Sequence, residues 1–365
     1  MHRKYHVVVG TTSSAFLAQR QKTALVTKYI PRSPLVHLAA FLGLGWMNAV
    51  DAAGTVYVSA YYGPGVGTYD AATGVAIDSS FVSVQNYPRS VALSGNQLFV
   101  ADFVNSSTGQ GSVGVYDATT GTPINNELLP SLYRPSGLAV SGNDLFVSFA
   151  YSNTVGKYNA NTGDVLNASF LTDTPGGRPF FLAVSGNNLY VSGNSGNISK
   201  YDAMTGATIN FSFISGLGSA LGMAVSGNTL YVASSSTGTV GSYDATTGTP
   251  INATLITGLS YPAGLALAGN DLYVANSNNG VLYGSVGVYD AMTGAAINSS
   301  LITGLNAPWG IAVSPVPEPS CGMICLVALS LYCFTRQRQN VSETPSNGFG
   351  LAQSISQLKA PLLGD

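Results

Sequence analysis

The sequence predicts an all-β fold, a six-bladed β-propeller. Three observations lead to this prediction: a composition rich in glycine and poor in charge, a hairpin that recurs at a fixed period, and one strand left unpaired at each end of the repeats. The chain has 365 residues, of which 45% are hydrophobic and 8% are charged, and 43 of them are glycine. This composition is typical of an exported all-β protein rather than of a cytosolic enzyme.

The recurring hairpin consists of two short apolar runs joined by a Ser-Gly-Asn turn, as at residues 138–147, and close copies lie at 91–100, 182–191, 223–232 and 265–274. A second marker, Tyr-Asp or Tyr-Asn, begins at Tyr69, Tyr116, Tyr158, Tyr201, Tyr243 and Tyr289. The spacing of 42 to 47 residues, with four short apolar runs in each unit, is typical of a propeller that has one four-stranded blade per repeat.

Each unit predicts four strands, A to D. In the fifth full copy, strand A lies at 264–267, strand B at 272–275, strand C near 285–289 and strand D near 296–301. All four are short, apolar or alternating, and they are bounded by glycine, asparagine, serine or proline. The Gly-Asn pair between strands A and B predicts a two-residue type II′ turn, in which glycine takes the first central position.

The two ends of the repeat region predict how the ring closes. The first unit begins with strand B at 55–58 and has no strand A before it, whereas the last unit ends with strand A at 310–313. We expect this C-terminal A strand to complete the first blade, because closure hides edge strands that would otherwise be exposed. An open repeat solenoid is the alternative, and it leaves the one-strand offset unexplained.

The order of Gly-Leu-Ala-Val, Leu-Tyr-Val and Tyr-Asp within each repeat resembles the NHL-type six-bladed propellers and their bacterial relatives. The resemblance covers about residues 53–314. Its motifs are structural, so it implies the fold and says hardly anything about function.

The repeats differ from one another almost only in their B–C loops, with long loops at 102–111 and 276–284. In a propeller the B–C and D–A loops emerge on one face, called the loop face below, and the A–B and C–D turns emerge on the other, the turn face. Binding residues are usually found on loops held by a rigid scaffold. The predicted ligand-binding residues therefore lie on the loop face: Tyr87, Arg89, Arg134, Arg178, Phe180, Tyr261 and Trp309.

Two interpretations of this set stay open. A shallow ring of aromatic and arginine side chains around the central channel suits stacking of sugar rings, or pairing with an acidic polysaccharide. Alternatively, the aromatic residues close the channel mouth and the arginines donate hydrogen bonds to loop carbonyls.

Most catalytic chemistry is excluded from the repeats. All three histidines lie at or before His37 and all three cysteines at or after Cys321, so no Ser-His-Asp triad, Cys-His pair, usual zinc site or disulfide is possible between them. We predict no catalytic residue, metal or cofactor. The repeated Asp70, Asp117, Asn159, Asp202, Asp244 and Asp290 are predicted to cap Asp-x-x-x-Gly turns. Of the other acids, only Asp102 and Asp173 are expected to reach the loop face. They form no calcium cluster, and a calcium site spread over several blades stays the alternative.

The N-terminal segment predicts export. Residues 1–34 are basic and free of acids, residues 35–50 are apolar, and a small-x-small step follows at Val50-Asp51-Ala52. This order is typical of a secretory signal, so residues 1–52 are predicted to form a leader. A retained membrane anchor is the alternative, although the apolar run is short.

The C-terminal segment predicts a membrane tether. Residues 315–338 contain three closely spaced prolines, an uncharged apolar run at 321–334, and then Arg336 and Arg338. The order Val-Pro-Glu-Pro-Ser, apolar run, arginines resembles the PEP-CTERM sorting signal of bacterial surface proteins. That resemblance implies processing by an exosortase that recognises Pro317, Glu318 and Pro319, and an association with exopolysaccharide. The chain departs from the family in having two arginines and a polar tail at 339–365, predicted to be disordered.

Taken together, the sequence predicts a non-enzymatic, exported propeller. We expect it to be membrane-tethered and then located at the cell surface or outside the cell, where it binds extracellular polysaccharide or a surface protein. A net charge of −2 gives no indication of nucleic-acid binding. The alternatives are a calcium-dependent lactonase-like or lyase propeller, and a purely structural surface component.

Overall fold

The computed structural model describes residues 54–314, apart from 64, 85–86, 105–108, 173, 175–176, 194 and 279–281. The described residues form six four-stranded antiparallel sheets arranged as a six-bladed propeller, as predicted. No helix in this part of the chain has the length and hydropathy that a membrane crossing requires. The predicted leader (1–52), sorting segment (315–338) and tail (339–365) lie outside the described residues.

Strands A, B, C and D follow one another across each blade. Blade 1 consists of β24 (Pro308–Val313), β1 (Thr55–Ala60), β2 (Gly65–Asp70) and β3 (Ala76–Ser83); blade 2 of β4 (Pro88–Ser94), β5 (Gln97–Asp102), β6 (Gly111–Asp117) and β7 (Pro123–Leu132). Blade 3 consists of β8 (Pro135–Ser141), β9 (Asp144–Phe149), β10 (Thr154–Asn159) and β11 (Val165–Leu171); blade 4 of β12 (Pro179–Ser185), β13 (Asn188–Gly193), β14 (Ile198–Asp202) and β15 (Thr208–Ile214). Blade 5 consists of β16 (Ala220–Ser226), β17 (Thr229–Ser234), β18 (Thr239–Asp244) and β19 (Pro250–Ile256); blade 6 of β20 (Pro262–Ala268), β21 (Asp271–Asn276), β22 (Leu282–Asp290) and β23 (Ala296–Asn306).

The ring closes in the predicted way. Strand β24 pairs antiparallel with β1, so that Val58 lies opposite Ile311, and both side chains are buried. At the ends of the two strands, the backbone N–H of Thr55 donates to Ser314 Oγ at 2.8 Å, and the Ser314 N–H donates to the Thr55 carbonyl at 2.9 Å. The last strand, β24, therefore serves as strand A of the first blade and pairs with its strand B.

The sheets are slightly longer than the sequence indicates on one side of blade 6. Strand β22 begins at Leu282, inside the region predicted to be a long loop at 276–284, and Leu282 pairs with Asn306 at the end of β23. Register shifts along this pair let β23 follow β22 beyond the predicted end near residue 301. A bulge adds a residue without ending a strand, and periodicity alone does not reveal it.

The turns carry out the roles predicted for them. In the A–B turn of blade 2, Gly95 has a φ of 56° and Asn96 has an ordinary negative φ, which is the type II′ pattern. In the C–D turn, Asp117 Oδ1 accepts hydrogen bonds from the backbone N–H groups of Thr119 (2.9 Å) and Thr120 (2.8 Å). These bonds, led by the one from Thr120, lower the pKa of Asp117. The repeated carboxylates of the turn face are thus caps.

The glycine that ends each C–D turn also lies against the neighbouring blade. Gly248, in blade 5, has a φ of 78°, and a Cβ built on it would overlap the backbone carbonyl of Phe213 in blade 4. Glycines 74, 121, 163, 206 and 294 have the same conformation and the same kind of neighbour. Glycine is required here both for its conformation and for the close approach of two backbones.

Tyrosine hydroxyls add hydrogen bonds between blades. Tyr57 donates to the carbonyl of Ala118 (2.6 Å), and Tyr190 donates to that of Ala245 (2.7 Å). Tyr273 of blade 6 donates to the carbonyl of Ala71 in blade 1 (3.1 Å), across the point of closure. Burial raises the pKa of Tyr273 to about 12, so the hydroxyl keeps its proton and its donor role throughout the physiological pH range.

Candidate functional site

The site is built around the entrance of the central channel on the loop face. Strands A contact one another around the axis, and each begins on the loop face. Arg89, Phe180 and Trp309 each occupy the second position of a strand A, in blades 2, 4 and 1. The fold therefore brings three residues that are far apart in sequence to the rim of one channel.

Arg89 lies in a cage of aromatic rings. Its guanidinium carbon Cζ is 4.4 Å from the ring centroid of Phe103, 5.1 Å from that of Phe180 and 5.3 Å from that of Trp309. The ring centroid of Tyr61 lies 5.9 Å from the same Cζ atom. Loss of hydration lowers the pKa of Arg89. Aromatic faces attract a cation but supply no hydrogen-bond acceptor, so among the described residues the guanidinium contacts rings and has no acceptor for its Nε.

Two further arginines share one tyrosine beside this cage. Cζ of Arg134 is 4.4 Å and Cζ of Arg178 is 4.9 Å from the ring centroid of Tyr151. Arg134 is also 5.8 Å from the ring centroid of Phe103, which links this pair to the cage around Arg89. The three arginines and their rings therefore form one continuous cluster.

Aromatic side chains close the mouth of the central channel beside the arginines. Trp309 of blade 1 stacks on Phe181 of the opposite blade 4, with ring centroids 6.4 Å apart and planes inclined by 20°. The Tyr261 ring lies 6.2 Å from Trp309. Beneath them, the cavity lined by strands A of all six blades has a volume of only about 70 Å³. A ligand larger than a few water molecules has room at the rim, not inside the channel.

Within the described residues, the arginines donate no hydrogen bond to a loop carbonyl, although one interpretation of the sequence expected such bonds. Among the described residues, none accepts a hydrogen bond from the side chains of Arg89, Arg134 or Arg178, and Nε of both Arg89 and Arg134 is buried without a partner. The other half of that interpretation is correct, because the aromatic residues do close the channel mouth.

The residue before the first proline of strand A is held in a left-handed conformation in several blades. The φ angles are 48° at Tyr87, 52° at Arg134, 39° at Arg178 and 55° at Tyr261. This region is unfavourable for residues other than glycine, and a following proline restricts the backbone further. Strain of this kind concentrates at binding sites, where the surrounding structure holds it in place.

All seven residues predicted from the sequence lie in this cluster, since Tyr87 joins it through the Tyr61 ring at 5.2 Å. Sequence reasoning missed Tyr61, which contacts Arg89, and Phe103 and Tyr151, each of which contacts two arginines. Each follows directly, or within two residues, the end of strand B in blades 1, 2 and 3. That position was a usable signal, because the B–C loop starts on the same face as the D–A loop.

Asp102 is an acid at the edge of the loop face. It ends strand β5, and its Oδ1 is buried without a partner among the described residues. Burial raises the pKa of Asp102 to about 7. Within the part of the chain that the structure describes, no group of three or more histidine, cysteine or acidic residues is placed to hold a metal. Asp173, the other acid predicted to reach this face, lies outside the described residues.

Asp102 makes stability fall as pH rises. Its pKa in the folded state, about 7, exceeds the ordinary value of 3.8, so the folded protein binds the proton more tightly than the unfolded chain. The protonated carboxyl of Asp102 contributes fully to the free energy of unfolding below pH 4, and this contribution is lost as the pH rises to 7. We therefore expect Asp102→Asn to raise the melting temperature by about 3 °C or more at pH 8 and to change little at pH 4.

Melting curves from pH 4 to pH 8 measure this effect. Asp78→Asn is a suitable control, because Asp78 is exposed and asparagine stands at the equivalent position, Asn125, in the next blade. Its profile should run parallel to that of the unchanged protein. Identical pH profiles for Asp102→Asn and the unchanged protein would show that the buried carboxyl is ionised at no cost.

Among the comparisons with known proteins, one solved structure supports the propeller fold. The family model of outer membrane protein assembly factor BamB matches residues 151–301, less than half of the chain, and that of the LVIVD repeat matches residues 87–106. No curated protein matches the chain. A chain in the crystal structure of a nidogen/laminin complex is similar, with a TM-score of 0.59 and 14% identity over 71% of this chain and 98% of that chain. A computationally designed protein, Ika8, gives a TM-score of 0.41 at 19% identity over 68% of this chain and 72% of that chain.

Proposed function

We propose that this protein is an exported, non-enzymatic propeller that binds an extracellular polysaccharide through its loop face. The observation that carries the proposal is an arc of six aromatic rings across blades 1 to 3, called the aromatic arc below. Neighbouring ring centroids along it are 5.2 to 6.5 Å apart. In order, its members are Tyr62, Tyr87, Tyr61, Phe103, Tyr151 and Tyr133.

Exposure supports a binding role for the arc. The side chains of Tyr62 (52% exposed), Tyr133 (56%) and Tyr151 (44%) present large apolar surface to solvent at the same rim. An exposed aromatic strip framed by polar groups is typical of a ligand-binding surface. An arc of several rings suits an extended polymer, because successive units can stack on successive rings while hydroxyls remain in water.

The chemistry of the face favours binding over catalysis. The repeats contain no histidine or cysteine, and the carboxylates of the turn face serve as caps. Asp102 is the acid described at the loop face, and a calcium-dependent enzyme would need several oxygen ligands together. The alternative of a purely structural component gives no role to the exposed rings.

Export and tethering are proposed from the sequence. The basic and apolar leader at 1–52 and the Pro-Glu-Pro segment with its apolar run support transient anchoring and processing by an exosortase-type enzyme. Polysaccharide would then be met outside the cell. Labelling of intact host cells with a membrane-impermeant reagent tests this part of the proposal, and a chain found only in the cytoplasm would contradict it.

Removing one ring of the aromatic arc should weaken polysaccharide binding. We expect Tyr151→Ala to reduce the affinity about tenfold, because it deletes a stacking surface and the support of two arginines. The full chain is titrated with extracellular polysaccharide fractions from its host while the fluorescence of Trp309 is followed. Trp309→Phe identifies the contribution of the only other tryptophan, Trp46.

Phe211→Ala is the matched control. Phe211 is 49% exposed on the outer strand of blade 4, away from the loop face, so its loss should leave the affinity unchanged. Equal weakening by both substitutions would mean nonspecific adsorption to exposed rings. If the chain captured a surface protein and no polysaccharide fraction, the polysaccharide proposal would be wrong.

A further inference from the structure

We propose that the loop face selects negatively charged polysaccharides, and that Arg89, beside Trp309 at the channel mouth, binds one carboxylate or sulfate group of the polymer. This inference rests on the proposed function and names the class of ligand. It starts from three buried nitrogen donors in one cluster that have no acceptor among the described residues: Nε of Arg89, Nε of Arg134 and Nε1 of Trp309.

Buried donors without acceptors are uncommon in native proteins, because each forfeits the hydrogen bonds that it makes in water. Here two of them belong to guanidinium groups, which carry five donors each and no acceptor. The ring faces around Arg89 stabilise its positive charge but leave those donors unused. A group that brings negative charge and two acceptor oxygens satisfies both requirements at once.

An anion can reach this position from solvent. Arg89 is only partly buried, and its terminal nitrogens, unlike its Nε, are not among the buried donors. Nε1 of Trp309 is itself buried, so the indole borders this position with its ring. The ring of Trp309 lies 5.3 Å from Cζ of Arg89, so the indole and the guanidinium border one spot at the rim. The narrow channel below prevents the ligand from passing further along the axis.

The cluster also offers a second charge along the aromatic arc. Phe103, a member of the arc, lies 4.4 Å from Cζ of Arg89 on one side and 5.8 Å from Cζ of Arg134 on the other. A chain that stacks along the arc therefore passes two guanidinium groups in succession. This spacing suits a polymer whose acidic group repeats, rather than a single small anion.

The distribution of charge over the propeller points to the same ligand class. Residues 54–314 contain five basic and twelve acidic residues, so the span has a net charge of −7. Three of the five basic residues lie in the cluster on the loop face, whereas the capping aspartates occupy the turn face. The one ion pair found among the described residues, between Lys157 and Asp144, involves none of the three arginines. A polyanion is therefore attracted to one face and repelled by the other.

The test compares one sugar with and without its charge. The full chain is titrated with tetragalacturonate and with its methyl ester, and we expect the acid to bind at least tenfold more tightly. Arg89→Met should remove this advantage, so that the acid and the ester bind with equal affinity. A sulfated oligosaccharide of the same length is used as a further arm. It should bind with the same dependence on Arg89 if the site recognises any negatively charged group.

Two controls separate the outcomes. Lys157→Gln removes the same charge at the turn face and should change the affinity for the acid less than twofold. Arg89→Met should melt at an equal or higher temperature, because it replaces an unpaired cation in an aromatic cage with an apolar side chain. Equal binding of the acid and the ester, or an unchanged affinity in Arg89→Met, would overturn this inference but leave the proposed function standing. Absence of binding to any sugar, including the host polysaccharides, would instead refute the proposed function.

Discussion

Replacing Ile311 by aspartate should unfold the propeller or bring it close to unfolding, with a loss of about 4–5 kcal/mol in the free energy of unfolding. Ile311 is 6% exposed and lies opposite Val58 in the pairing of β24 with β1. A carboxylate there is buried without a partner at the point where the ring closes. Because domains of this kind are stable by only about 5–15 kcal/mol, the loss is a large share of the total.

Urea unfolding followed by tryptophan fluorescence measures this loss, and limited proteolysis shows whether blade 1 opens first. Ile77→Asp is the matched control, since Ile77 is 61% exposed on the outer strand of the same blade. It should cost less than about 0.5 kcal/mol. A similar cost at both positions would mean that β24 contributes no more than an outer strand, and that closure does not hold the ring together.

Replacing Gly248 by alanine should cost about 3 kcal/mol, which is more than an unfavourable backbone angle alone explains. The alanine has to adopt a φ of 78°, and its Cβ has to displace the backbone carbonyl of Phe213 in the neighbouring blade. Gly142→Ala separates the two effects. Gly142 has a φ of 58°, but a Cβ there meets no atom within 4 Å, so we expect a cost of about 1 kcal/mol.

Thermal and urea unfolding of both variants test this comparison. The difference between them isolates the contact between blades, because both replace glycine by alanine at a positive φ. Equal costs would show that neighbouring blades separate slightly without penalty. The result would then contradict the dual role assigned to the glycine at the end of each C–D turn.

Much of the fold could be predicted because the same turn and strand motifs recur in each of the repeats. The spacing of the Tyr-Asp pairs predicted the number of blades, and the Gly-Asn pair predicted the A–B turn. The positive φ of residues such as Gly95 agrees with that turn. The unpaired strands at 55–58 and 310–313 predicted closure. The extension of β22 and β23 in blade 6 was not predicted, since it depends on bulges that only the pairing of two strands reveals.

The site was less accessible to sequence reasoning. The face of the propeller and its seven residues followed from loop lengths, but contact between Arg89 and Phe180 across two blades depends on how far each side chain reaches over the channel. Tyr61 and Tyr151 lack a repeated motif because the B–C loops vary, although their position just after strand B could have indicated the loop face. The left-handed conformation of Arg178 before Pro179 opposes local preference and is imposed by tertiary packing.

The pairing of β24 with β1 also decides on which face of the propeller the described part of the chain ends. Thr55 and Ser314 are joined by hydrogen bonds at the turn-face end of blade 1, where Thr55 lies opposite Asp70 of the first C–D turn. Ser314, the last residue that the structure describes, therefore lies at the turn face, on the side opposite the arginine cluster. The described part of the chain thus ends on the face away from the rim that is proposed to bind the ligand.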